Sequence, residues 1–488
     1  MKNKQFIKTE WTDLLTGVTI KTFRHPCGLT VHMIPKPKFS KKFAGILVPF
    51  GSIHNQYKTS DGSFTFPAGT AHYLEHCVFS KEDEGGLLNK LSSLGASANA
   101  YTSNTHTMYY FTTVDHFAQA FELYFNAVVN PYLEEDRIEA ERNVIIQELE
   151  MYQDDPENQC FSNMIESLYL YHPVRIDIGG TKESVKQINS SHLKEIQKSF
   201  YTPKAVIVTI AGDIDEEEIL DLLEKCLESS NLSKKSDSDK ANLEPSKRPS
   251  FAYEDEPPKI GKSSSSYEMD VSTESFLIGI KNPAVSPQNP LAGYDRVMNS
   301  KSGQLFFEMI LGSSSEIFET LYAEGLVNDS FGFQYVCEET YSYVAMGGES
   351  PNPKLAAIKL HKLLLDIFPK LDKAIAKEKS DSSKNPENLL TNSGIDKQIL
   401  LNKADDSLNP TDFELQKRVV AGNFIRSLDS VEYCGMSAAI AELSGLNIFD
   451  YPEIYDKMEL ATVVDSMRFL CNPDLKTESF IFKKAMGK

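Results

Sequence analysis

The chain has 488 residues, more than a single hydrophobic core serves, so two to four domains are expected. A formal net charge of -19 argues against nucleic-acid binding, which needs Lys and Arg clustered against phosphate. Hydrophobic residues make up 41%, with 28 Phe and 21 Tyr, enough for large cores, yet no apolar run is long enough to cross a membrane.

The opening residues, Met1 to Glu10, lack the apolar stretch of a signal peptide. Seven cysteines with no Cys-x-x-Cys pair read as reduced thiols, and together these features predict a cytoplasmic protein. Val18 to Phe23, Leu29 to Ile34 and Phe43 to Phe50 read as strands, with a turn at His25 to Gly28. A loop from Lys58 to Gly69 leads into Thr70-Ala71-His72-Tyr73-Leu74-Glu75-His76. Residues four apart share one face of a helix, so His72 and His76 can grip one ion together, and imidazole suits zinc. Glu75, beside His76, is then a candidate general base for water at that ion. Two half-buried histidines beside a carboxylate are costly unless something pairs them, which favours a metal. Cys77 turns away by about 100° and reads as core packing.

A helix near Gly85 to Leu94 follows, then paired strands Ala96 to Ser103 and Thr107 to Val114. Asp115 to Asn130 is an amphipathic helix. Leu133 to Asp154 is another, with Ile138, Val144, Ile145, Ile146 and Leu149 at helical spacing and Glu141 and Glu148 two turns apart. Taken alone those glutamates read as a solvated face. Beside the histidine pair they become candidates for the third protein ligand that a catalytic zinc needs. Helices near Asn158 to Tyr171 and Ser184 to Phe200, a strand Ala205 to Ala211 and a helix Glu216 to Leu227 complete the first half.

From Ser229 to Ser266 the composition turns to Ser, Lys, Asp and Pro, an expected linker. The second half repeats the order of elements. A strand Ser275 to Ile280 leads to helices Gly293 to Ile310 and Ser315 to Ala323. Strands Ser330 to Tyr335 and Tyr341 to Gly347 and a helix Asn352 to Ala376 follow. Residues 378–411 form an expected polar insertion, before helices Phe413 to Leu428, Ser430 to Leu443 and Tyr455 to Phe469 and a strand Glu478 to Phe482.

His72-x-x-Glu75-His76 followed by Glu141-Arg-Asn-Val-Ile-Ile-Gln-Glu148 resembles the pitrilysin/insulinase family of inverted-motif zinc metallopeptidases. Leu94 to Thr102, Phe200 to Asp213, Leu311 to Leu326 and Met346 to Gly348 also fit it, most like the half-size bacterial members related to mitochondrial processing peptidase subunits. The resemblance implies an α+β fold of two homologous sandwich-like halves, each a mainly antiparallel mixed sheet covered by helices. In an assembled dimer these form a clam-shell around a peptide-binding cavity. The implied domains are 1–228, carrying zinc, and 267–488, inactive, joined by 229–266. The implied site is one Zn2+ on His72, His76 and Glu148, Glu141 supporting them, and Glu75 as the catalytic base. Asn99, Ala100, Tyr101 and Thr102 form an edge strand that takes an extended peptide by backbone pairing.

One departure bears on partners. Active relatives carry an Arg and a Tyr in the second half, and Tyr322 and Asn328 stand at those positions here. No arginine lies between Arg296 and Arg418. The chain is therefore expected to pair with a homologous zinc-less subunit, or with a second copy of itself. A non-catalytic or partner-dependent subunit and a structural zinc protein stay open as alternatives.

Overall fold

The computed structural model describes residues 6–14, 16–59, 62–79, 86–230, 250–382 and 410–485. The greater part of the expected insertion at 378–411 and the middle of the expected linker lie outside the described residues. Two compact units interleave along the chain. The first comprises Met1–Asp155, Tyr171–Asp255 and Phe424–Asp450, and the second Pro156–Leu170, Glu256–Asn423 and Tyr451–Lys488.

The first unit is built on a seven-stranded sheet. Its strands run, in spatial order, Ile7–Thr12, Thr19–Arg24, Thr30–Pro35, Ile207–Gly212, Lys42–Val48, Thr107–Thr113 and Ser97–Thr102. Only Thr30–Pro35 and Ile207–Gly212 pair in parallel; both are buried along almost their whole length, as parallel strands inside a sheet usually are. Ser97–Thr102 forms one edge, paired on one side with Thr107–Thr113. The helices Thr70–Phe79, Phe117–Val129, Glu135–Asp154, Ser190–Phe200 and Glu216–Ser229 bury one core of aliphatic and aromatic side chains with this sheet.

A helix from late in the chain, Val431–Leu443, packs on the strands Thr30–Pro35, Lys42–Val48 and Ile207–Gly212. Its Cys434, Gly435, Ala438, Ala439 and Ala441 are buried, and these small residues let it come close. At Gly435 an added Cβ would strike the ring of Phe43. Glu442 holds the helix end through Arg24 at 2.9 Å and His32 at 3.4 Å.

The second unit mirrors this arrangement. Its five strands run in the order Ser264–Met269, Lys476–Lys483, Ser275–Lys281, Ser342–Glu349 and Gly332–Cys337. Here the helix that packs on the sheet comes from early in the chain, Pro156–Leu168, with Met164 and Leu168 seated against Gly279. Strand, helix, helix, strand, strand and helix recur in both sequence halves, so the architecture is α+β in two related halves.

Several elements differ from the sequence reading. The loop expected at 58–69 contains a hairpin, Gln56–Thr59 with Gly62–Thr65. Ser264–Met269, which begins in the last residues of the expected linker and runs past its end, is a strand; its serine-rich side chains stay largely exposed, and parallel pairing with Lys476–Lys483 holds its backbone. The helix expected over 184–200 is two, because the Asn189 side chain accepts from the amides of Ser191 and His192 and starts a new one. The helix expected over 455–469 divides into Asp450–Asp456, Leu460–Ser466 and a 3-10 turn.

Inside the second unit Lys281 is buried with Glu256, Nζ to Oε1 at 2.5 Å, the two side chains 2% and 1% exposed. The lysine also donates to the carbonyls of Pro257 and Lys259, and Glu256 accepts from the amide of Leu170. The pair thus pins the end of the exchanged helix to the sheet. Glu256→Ala leaves a buried ammonium without its counter-charge and should destabilise the protein by about 3–5 kcal/mol in urea unfolding. The double replacement of Lys281 by Met and Glu256 by Leu should recover most of that loss.

Candidate metal and active site

Gly69 precedes the helix Thr70–Phe79 with φ +87°, and its backbone lies against the carbonyl of Gly179, where any side chain would collide. The helix buries Ala71, Tyr73, Leu74, Cys77 and Val78 on one side. That leaves His72, Glu75 and His76 half-buried on the other. Burial pushes the Cys77 thiol up to about 12, in keeping with a packing role.

The helix Glu135–Asp154 is fixed against it by two contacts. The Tyr73 hydroxyl donates to the Ile138 carbonyl, and Arg142 covers the Tyr73 ring at 5.8 Å. Arg142 also donates to the carbonyls of Val185 and Ile188, tying the end of the helix Lys182–Gln187 into the same block. Ile138, Ile145 and Leu149 face the core, whereas Val144, expected on that stripe, is 50% exposed. The register this sets turns Glu141 and Glu148 toward the histidines.

His76 Nε2 lies 3.1 Å from Glu148 Oε2, and His72 Nε2 lies 3.8 Å from Glu148 Oε1. Glu141 Oε2 meets the opposite nitrogen of His76, Nδ1, at 3.4 Å. One donor atom each from His72, His76 and Glu148 falls within 4.8 Å of the others. Two ligands about 2.1 Å from a tetrahedral ion stand roughly 3.4 Å apart, so these spacings suit zinc. Two imidazoles and one carboxylate also leave a position open. Glu141, on the far nitrogen of His76, fits the carboxylate–histidine support common behind such ligands. The far nitrogen of His72, Nδ1, is buried beside Gly179 and finds no hydrogen-bond partner among the described residues.

The charges follow from this packing. Burial, helped by His76, holds His72 down to about 4. Burial opposes a charge on His76 too, but the hydrogen bonds that its ring donates to Glu141 and Glu148 outweigh it and raise His76 to about 9. The same hydrogen bond to His76 lowers Glu148. Burial raises Glu75, against the opposing hydrogen bond from Thr102.

The edge strand Ser97–Thr102 ends beside this group. Thr102 Oγ1 donates to Glu75 Oε2 at 2.5 Å. The amide of Ala100 is capped by the side chain of Asn99, Oδ1 at 2.8 Å, and the Asn99 carbonyl accepts from Tyr124 at 2.7 Å. Tyr101 reaches His106, hydroxyl to Nε2 at 3.4 Å. The sequence reading missed Tyr124, His106 and the Gly179 loop. Nothing local marks the first and last, while the tight hairpin that places His106 opposite Ser103 was visible.

Residues 35–182 match the family described as Insulinase (Peptidase family M16), and residues 187–385 match the family described as Peptidase M16 inactive domain. The uncharacterized zinc protease YmfH of Bacillus subtilis is 28% identical over 439 residues, 89% of this chain and 90% of that protein. The mitochondrial-processing peptidase subunit beta of Neurospora crassa is 28% identical over 214 residues, 43% of each chain. The fold is shared with an M16-like peptidase from Alicyclobacillus acidocaldarius at a TM-score of 0.76 and 23% identity, over 98% of this chain and 99% of that one.

A divalent ion entering between these groups displaces the proton on His76, while His72 is already neutral at pH 7. Zinc affinity should therefore weaken about tenfold for each pH unit below 9, with about one proton released per ion at pH 7. In the metal-free protein the sign runs the other way. The raised His76 stabilises the fold fully below its ordinary 6.5, and that contribution is lost as pH rises through about 9. Calorimetry of zinc binding in buffers of different ionisation enthalpy counts the protons; none released, or two, contradicts the assignment.

Proposed function

Because the chain belongs to the insulinase family (peptidase family M16), we propose that it is a zinc-dependent metalloendopeptidase with Glu75 as its general base. The observation that carries this is the meeting of His72, His76 and Glu148 around one point, with Glu75 one residue from His76. His72, His76 and Glu148 hold the ion, and Glu141 orients His76 from behind. When bound there, the ion supplies Lewis acidity, acidifying water and polarising a carbonyl.

The chain's own residues do the rest. Ser97–Thr102 receives an extended peptide along its free edge. There Ala100 offers its amide once the Asn99 side chain gives it up. Glu75 takes a proton from the attacking water and passes it to the leaving amine. Its partly buried setting raises its affinity for that proton toward the working pH. With Oε2 held by Thr102, Oε1 is the oxygen that carries it.

A partner-dependent form of the same activity is favoured by the second half. Tyr322 is 51% exposed and stacks on Phe318, and Asn328 donates to Glu349. Neither position supplies the Arg or the Tyr of active relatives. We therefore place this chain in a dimer, with a homologous zinc-less subunit as the favoured partner and a second copy as the other. No helix among the described residues is long and apolar enough to cross a membrane.

Glu75→Gln should keep zinc and reduce peptide turnover by on the order of 10²–10⁴-fold. His72→Ala and His76→Ala should lose both zinc and turnover, read by metal analysis beside cleavage of a peptide library. If Glu75→Gln turns over like wild type, the assignment of the base fails. Full-rate cleavage by the purified monomeric chain would remove the need for a partner.

A further inference from the structure

We infer that Thr102 is a positioning residue that fixes the Glu75 carboxylate and fastens it to the strand along which a peptide would lie. The inference rests on the reading of Glu75 as the base.

Thr102 is buried and closes its strand. Its hydroxyl proton goes to Glu75 Oε2 at 2.5 Å. The neighbouring hydroxyl does not compete for Glu75, because Thr107, directly opposite in the ladder, gives its proton to the Phe50 carbonyl at 2.9 Å. A single strand residue thus donates to one side chain of the histidine helix.

The ladder sets which backbone groups of this strand face its free edge. Ser103 donates across the hairpin to the His106 carbonyl at 2.8 Å. Backbone groups alternate in direction along a strand, so the odd-numbered residues point to the paired strand. The even-numbered ones, Ala98, Ala100 and Thr102, point to the free edge. The Ala100 amide, bonded among the described residues to the side chain of Asn99 next to it, agrees with this. A peptide adding to the edge can take the groups of Ala98 and Ala100. At Thr102 the side chain holds Glu75. A peptide paired with Ala98 and Ala100 therefore runs toward the residue that holds the base. Holding the carboxylate in place beforehand removes rotamer freedom that would otherwise be lost during the reaction, and misplacing a catalytic group by about 1 Å can cost roughly a hundredfold.

Thr102→Val keeps the shape of the side chain and deletes its hydroxyl, and Thr102→Ser keeps the hydroxyl. In the full chain, with its partner subunit where one is required, Thr102→Val should lower kcat roughly ten- to a hundredfold. KM, zinc content and the affinity of the metal-free protein for a substrate peptide should stay at wild-type values. Thr102→Ser should restore kcat to within about threefold of wild type. Crystal structures of both variants give a readout that does not need activity. The Glu75 carboxylate should leave its place in Thr102→Val and keep it in Thr102→Ser. Wild-type kcat in Thr102→Val, an unmoved Glu75, a loss confined to KM, or loss of zinc would each overturn the inference. Cleavage by Glu75→Gln at the wild-type rate would instead overturn the choice of base, and the crystal structures would still judge the hold of Thr102 on Glu75.

Discussion

Everything at this site depends on two helices from separate parts of the chain being held in one register. The hydroxyl of Tyr73, given to the carbonyl of Ile138, sets that register with a bond inside the core. A slip of one residue along Glu135–Asp154 would rotate Glu141 and Glu148 by about 100° and remove both from the histidines. Arg142 acts from the outer side, bonding to carbonyls at the end of Lys182–Gln187 and so joining a third helix to the pair. The chemistry of His72, His76 and Glu148 is thus the visible end of a packing arrangement whose own residues are a tyrosine, an isoleucine and an arginine.

That register also explains why four groups with such different proton affinities sit within a few ångströms. His72 and His76 share a helix face and have rings 4.6 Å apart, yet one is held neutral and the other favours its charge. The difference lies in the partners. His76 lies between two carboxylates, one on each ring nitrogen, whereas the far nitrogen of His72 is buried near Gly179 with no hydrogen-bond partner among the described residues. A cation placed among them would take the place of the proton on His76.

How much of this was legible in the sequence depends on whether the signal was local. The histidine helix could be read because four-residue spacing and the flanking Ala71, Leu74 and Val78 are properties of one short stretch. The glutamate helix could be read as a helix, but which of its faces met the histidines depended on Tyr73 and Arg142, residues with no periodic mark. The strand Ser264–Met269 hid because backbone pairing alone holds it, and serine-rich composition says nothing of a backbone. Thr102 stood in plain view as a strand residue. Its bond to Glu75 required knowing that the strand ends beside the histidine helix, a fact fixed by the hairpin at Ser103 and His106 and not by any pattern in the letters.

The exchange of helices between the two sequence halves has a consequence for how the protein is made. The sheet that carries the site receives Val431–Leu443 from near the end of the chain, and the other sheet receives Pro156–Leu168 from the first third. On the ribosome, the first sheet must wait for some two hundred further residues before its last covering helix exists, an apolar surface in need of shelter in the meantime. The halves share one order of elements, yet each gives up a covering helix to the other: cut at the middle, each piece would lack the lid for its own sheet and carry the lid for the other's.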